Sequence, residues 1–170
     1  RSVSALTHVD PDCIDACVLW SLAIDHAIHH APVDLDAVDA YDWAGAVSSG
    51  LAHVPEGSRR DRWRHLVEQA ADPRSTPTDF ATNGWVVHAF QAALSAIVTT
   101  PVPAGPAAPG HLGDALASAV RAGGDTDTVA AIAGSLLGAR WGATAVRLGH
   151  RRLLHGQRVY GEPVLVADDL

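Results

Sequence analysis

The chain has 170 residues, 48% of them apolar, a formal net charge of -7 and a mean hydropathy of +0.09. That length carries one domain with a substantial core, and the hydropathy is that of a water-soluble globule. The acidic balance argues against nucleic acid or an anionic membrane as the main partner, and no apolar run approaches the ~20 residues of a membrane-spanning helix. Alanine supplies much of the apolar content, which favours closely packed helices.

The spacing of Ile14, Val18, Leu22 and Ile28 predicts a helix over residues 12–31, opened by Asp10-Pro11 and stopped by Pro32. Cys13 and Cys17 share one of its faces. They are poorly placed for a disulfide and too few for a zinc site, so buried reduced thiols of a cytoplasmic protein are expected. His26, His29 and His30 could be spaced for zinc, but without an acidic or cysteine partner they read as a solvated helix end. A second helix is predicted over residues 35–48, with Leu35, Val38 and Trp43 inward, closing at Gly50. A charged helix over residues 60–71 ends at Asp72-Pro73, and its arginines, with Arg59, are expected to form a solvated face. Residues 73–84 read as a loop. Val86, Phe90, Ala93 and Ile97 then mark an amphipathic helix over residues 85–98. Residues 99–110 hold four prolines and two glycines and must be an irregular connection. Short helices follow over residues 112–121, 128–139 and 146–154, with one short strand at 164–166. The expected class is all-α.

The most informative stretch is Gly123-Gly124-Asp125-Thr126-Asp127-Thr128. In looped backbone alternate side chains point the same way, so the two carboxylates can converge on one point, and the glycines permit unusual backbone geometry. Paired carboxylates with a hydroxyl make an all-oxygen ligand set suited to Mg²⁺ or Mn²⁺. Asp and Thr are also ordinary helix caps, but a cap needs only one of them, and two adjacent carboxylates repel unless a cation lies between them. The later ligands of an EF-hand are missing. His8 and Asp10 stand just before the first helix, where Asp10 suits a cap and His8 is either incidental or functional. Trp85 opens a helix after a flexible loop, as a core residue or as a ring lining a cleft.

Gly123–Gly142, with its Gly-Gly-Asp-Thr-Asp-Thr-Val-Ala-Ala-Ile-Ala-Gly block, resembles the C-terminal signature of the ADP-ribosylglycohydrolase family. Three weaker segments agree in order: Ala5-Leu6-Thr7-His8, Asn83-Gly84-Trp85-Val86-Val87, and Leu153-Leu154-His155-Gly156. Together they span nearly the whole chain. The resemblance implies an all-α, compact orthogonal helical fold and a metal-dependent hydrolase that removes ADP-ribose from modified side chains or related conjugates. It implies two Mg²⁺ or Mn²⁺ ions, with Asp125, Asp127 and Thr128 as ligands, and it places His8 and Trp85 at the substrate. No catalytic acid or base is located.

The chain departs from the family pattern in lacking the Thr-Asp-Asp-Thr and Gly-Asn-Gly segments, and Val146-Arg147 and His150 stand where Pro and Trp are common. It also contains no Met. The expectation is therefore either one domain over residues 1–170 or the C-terminal half of the fold, completed by an N-terminal half that would be its partner. The alternatives are a non-catalytic subunit that binds ADP-ribose or a nucleotide or serves in packing, and a metal-dependent phosphoesterase.

Overall fold

The computed structural model describes residues 1–30, 41–156 and 165–166. Asp10 opens α1 (Pro11–His30): its Oδ1 accepts the Asp12 N–H at 2.7 Å, and Pro11 sits in the first turn, where no N–H is required. Asp15, Ala16, Leu19, Trp20, Ala23 and Ala27 form its buried stripe. In α2 (Trp43–Ser48), Trp43 faces inward as expected, and Gly50 follows within a 3₁₀ segment, Ser49–His53. Residues 35–40, with Leu35 and Val38, lie outside the described residues.

The arginines of α3 (Ser58–Ala71) form the expected solvated face only in part: Arg62 and Arg64 are exposed, whereas Arg59 and Arg60 are half-buried. Arg59 pairs with the buried Asp15 and reaches Asp12 at 3.6 Å, while Arg62 donates to Asp12 at 2.7 Å. Arg60 donates to the Val54 carbonyl at 2.7 Å, and Arg64 pairs with Asp61 of its own helix. The charge pattern of α3 alone could not reveal this, because the complementary carboxylates lie on α1. Trp63, Val67 and Ala70 face the core on the other side.

The helix α4 (Val86–Thr99) also differs from expectation. Its period is that of a one-sided helix, yet every residue from Ala89 to Ile97 is buried. Alanines at 89, 92, 93 and 96 let neighbours approach on several sides, so α4 becomes the central helix, packed by α1, α2, α3, α5 and α6. Its polar residue Gln91 is satisfied by the Leu66 carbonyl at 3.1 Å and Gln69 Oε1 at 2.9 Å. Phe90 lies between Trp20 and Trp63, with edge-to-face ring centroids 5.1 and 5.2 Å apart.

Two helices complete the body, α5 (His111–Arg121) and α6 (Thr126–Trp141). Trp20 ties α1 to α6 by donating Nε1–H to the Ile132 carbonyl and Ser135 Oγ, each at 3.0 Å. The last helix is shorter than expected: α7 (Leu148–Arg151) is one turn, and Leu148, Leu153 and Leu154 stay exposed, so no buried face sustains a longer helix. His155–Gly156 pairs antiparallel with Leu165–Val166, a two-residue ladder on an otherwise all-α fold. Among the described residues no helix is long and apolar enough to cross a membrane.

Candidate functional site

The loop between α5 and α6 is shaped by consecutive glycines with positive φ, +79° at Gly123 and +72° at Gly124. Left-handed backbone costs other residues a Cβ clash, so the pair reverses the chain where side-chain-bearing residues would resist. The reversal sets Asp125 at the N-cap of α6 and puts Asp127 and Thr128, both exposed, in its first turn. Asp125 makes no side-chain cap hydrogen bond. The Asp127 carboxyl is held below the ordinary carboxylate range, first by a hydrogen bond with the Asp125 carboxyl and then by the N–H groups of Asp127 and Thr128. Asp125 and Asp127 thus stand one residue apart on a single turn at the start of α6.

Beside this turn runs a cleft of about 600 Å³. Its walls come from the segment before α1 (Thr7, His8, Asp10), the start of α4 (Trp85, Val86) and α6 (Thr128, Ile132). His8, Trp85 and Thr128 are thus brought together from positions far apart in sequence. Trp85, the N-cap residue of α4, is 45% exposed, and its ring and the His88 ring have centroids 5.1 Å apart. Asp125 and Asp127 do not line the cleft; they stand on the turn that carries Thr128.

Three features of this region were not drawn from sequence. Asp10 caps α1 as expected but also lines the cleft. Cys13 and Cys17 are free thiols on the cleft wall, half-buried and exposed respectively, which corrects the expectation of buried thiols. The helix face they share looks into the cleft instead of the core. Burial, and then the negative charge of Asp10, raise the Cys13 thiol pKa. The third feature is Asn83, 2% exposed, whose Nδ2 donates to the Gly123 carbonyl at 2.9 Å and whose Oδ1 accepts the Asp125 N–H at 2.8 Å. Asn-Gly before a helix signals a turn, and nothing local to it points forty residues ahead.

The donor set of two carboxylates and a hydroxyl on one turn suits a hard divalent ion. Among the described residues no three His, Cys, Asp or Glu side chains gather into a group able to hold a metal.

The family model described as ADP-ribosylglycohydrolase matches residues 1–170. The chain belongs to the ADP-ribosylglycohydrolase family. Comparison with curated proteins and with solved structures gives no significant match. The all-α architecture is that of the family, which is a family of glycosidic-bond hydrolases, generally dependent on divalent metals and acting on ADP-ribosylated substrates. In this member of the family, Thr7-His8, Asn83-Gly84-Trp85 and Thr128 line the same cleft.

Proposed function

We propose that the chain forms one wall of a metal-dependent site that hydrolyses ADP-ribose from modified protein side chains or related conjugates. The supporting observation is the meeting of His8, Trp85 and Thr128 in one cleft, with Asp125 and Asp127 on the turn that carries Thr128. Asp125, Asp127 and Thr128 would hold two Mg²⁺ or Mn²⁺ ions from one side. Such ions, when bound, stabilise charge on substrate oxygens and orient water. His8 would hydrogen-bond a ribose hydroxyl, and the exposed Trp85 would offer a ring face for stacking. The cleft is within the size range of sites that enclose a small ligand. Two carboxylates leave coordination positions open, and we assign the remaining ligands to the N-terminal half of the fold, on a partner polypeptide or a further segment. Free thiols fit a cytoplasmic location.

The test is release of ADP-ribose from modified arginine or serine peptides by the chain together with that half, with and without EDTA. Release should require the metal and be abolished by Asp127→Asn. Release that persists in EDTA would refute the mechanism, and release of phosphate in its place would identify a phosphoesterase. A second reading, a non-catalytic subunit that binds ADP-ribose, is favoured by the lack of a three-ligand cluster among the described residues. Calorimetry distinguishes it: ADP-ribose would bind without turnover of conjugates at saturating Mn²⁺.

A further inference from the structure

Asn83 sits on the turn before α4, two residues ahead of Trp85, and is nearly sealed from solvent at 2% exposure. Its amide spans the reversal at Gly123–Asp125 from both sides, donating to one peptide group and accepting from the other. The fit is close: a Cβ on Gly124 would stand 2.3 Å from Asn83 Oδ1 and 3.0 Å from its Cγ. Only a primary amide of this length can do both jobs. A carboxylate cannot donate to the Gly123 carbonyl, and a hydroxyl is too short to bridge the two groups.

The consequence for the carboxylate is the telling part. In an ordinary cap the N-cap Asp side chain turns back to the N2 or N3 amide of its own helix. Asp125 does not, and its backbone N–H is held by Asn83 instead. The loop is therefore fastened from another part of the chain, and the Asp125 carboxylate is left without a capping bond.

We propose that Asn83 is the positioning residue of the Asp125–Asp127 loop, holding the carboxylates in a geometry that receives a divalent cation and locking that loop to the wall bearing Trp85. The cation part rests on the metal-site reading above; the loop-fastening part does not. Partners that orient metal ligands typically contribute 10–100-fold in affinity.

The experiment uses the full 170-residue chain in two measurements: amide hydrogen exchange without metal, and Mn²⁺ titration followed by electron paramagnetic resonance. In Asn83→Ala the Asp125 amide should exchange at least tenfold faster, and Mn²⁺ affinity should fall about 10–100-fold. Asn83→Asp keeps an acceptor for the Asp125 N–H but loses the donor, so it should fall between wild type and Asn83→Ala in both readouts. It also serves if the alanine variant does not fold. Ile97→Val, a core change at the far end of α4, should leave Mn²⁺ affinity unchanged and so separates positioning from general stability. Wild-type exchange and affinity in folded Asn83→Ala, or equal losses in Asn83→Ala and Asn83→Asp, would overturn the proposal. If the wild-type chain takes up no Mn²⁺, the metal-site reading fails, and exchange at Asp125 alone decides the fastening role.

Discussion

Replacing Gly124 by Ala, beside the same change at Gly123, isolates the contact that fastens the acidic loop. Both glycines have positive φ, so alanine at either costs about 1–2 kcal/mol in left-handed backbone. The unfolded chain loses freedom in both, which offsets about 0.4–1 kcal/mol. At Gly123 the new methyl meets nothing within 4 Å, and the net loss should be on the order of 1 kcal/mol. At Gly124 the methyl would lie 2.3 Å from Asn83 Oδ1. Asn83 must then move, which leaves the Asp125 N–H without its acceptor and costs a further 1–3 kcal/mol, roughly. The expected loss at Gly124 is about 2–4 kcal/mol in all. Urea unfolding followed by circular dichroism measures both, and with a slope near ~2 kcal/mol per M the midpoints should differ by about 1 M. Coincident midpoints would refute the idea that Asn83 carries the loop.

Three other outcomes follow from the packing. Asp15→Ala should destabilise by about 3 kcal/mol, the low end for removing one partner of a buried ion pair, because the Arg59 side chain remains 29% exposed; a loss below about 1 kcal/mol in thermal unfolding would place Asp15–Arg59 with weak surface pairs. His111 is buried as the neutral Nε2–H tautomer, donating to the Ile97 carbonyl at 3.0 Å and accepting the Trp141 Nε1–H at Nδ1 at 3.3 Å, and burial pushes its pKa below the ordinary histidine value of 6.5. The unfolded chain then binds more protons than the folded one as pH falls through the unfolded value, so His111 withdraws stability below about pH 6.5; His111→Gln should flatten the urea midpoint between pH 7.5 and 5.5, and an unchanged slope would count against the assignment. Cys17 is exposed on the cleft wall while Cys13 is half-buried with a raised pKa, so a disulfide reagent at pH 8 should modify Cys17 first, and ADP-ribose should slow that step; equal rates for the two thiols would contradict the wall geometry.

Much of the helical order was legible from residue spacing, because capping, glycine reversal and the 3.6-residue period act within a few residues of one another. Asp10 before α1 and the buried stripe of α6 through Val129, Ala133, Leu136 and Leu137 are local facts of that kind. The burial of α4 on all sides was not legible, since a helical period marks which face is most apolar and does not count how many neighbours arrive. The same limit hid the docking of Arg59 and Arg62 onto Asp12 and Asp15 and put Cys17 in a cleft instead of the core.

By itself the sequence determined an all-helical chain and the acidic loop on which the proposed chemistry rests, together with the residue types His8 and Trp85 that such chemistry would use. Only the tertiary structure decided that His8, Trp85 and Thr128 share one cleft, and that Asn83 reaches across forty residues to hold the loop. The reason is physical. Backbone preference and side-chain period are set by near neighbours, whereas a cleft and a buried amide bridge exist only once distant helices have packed and excluded water between them.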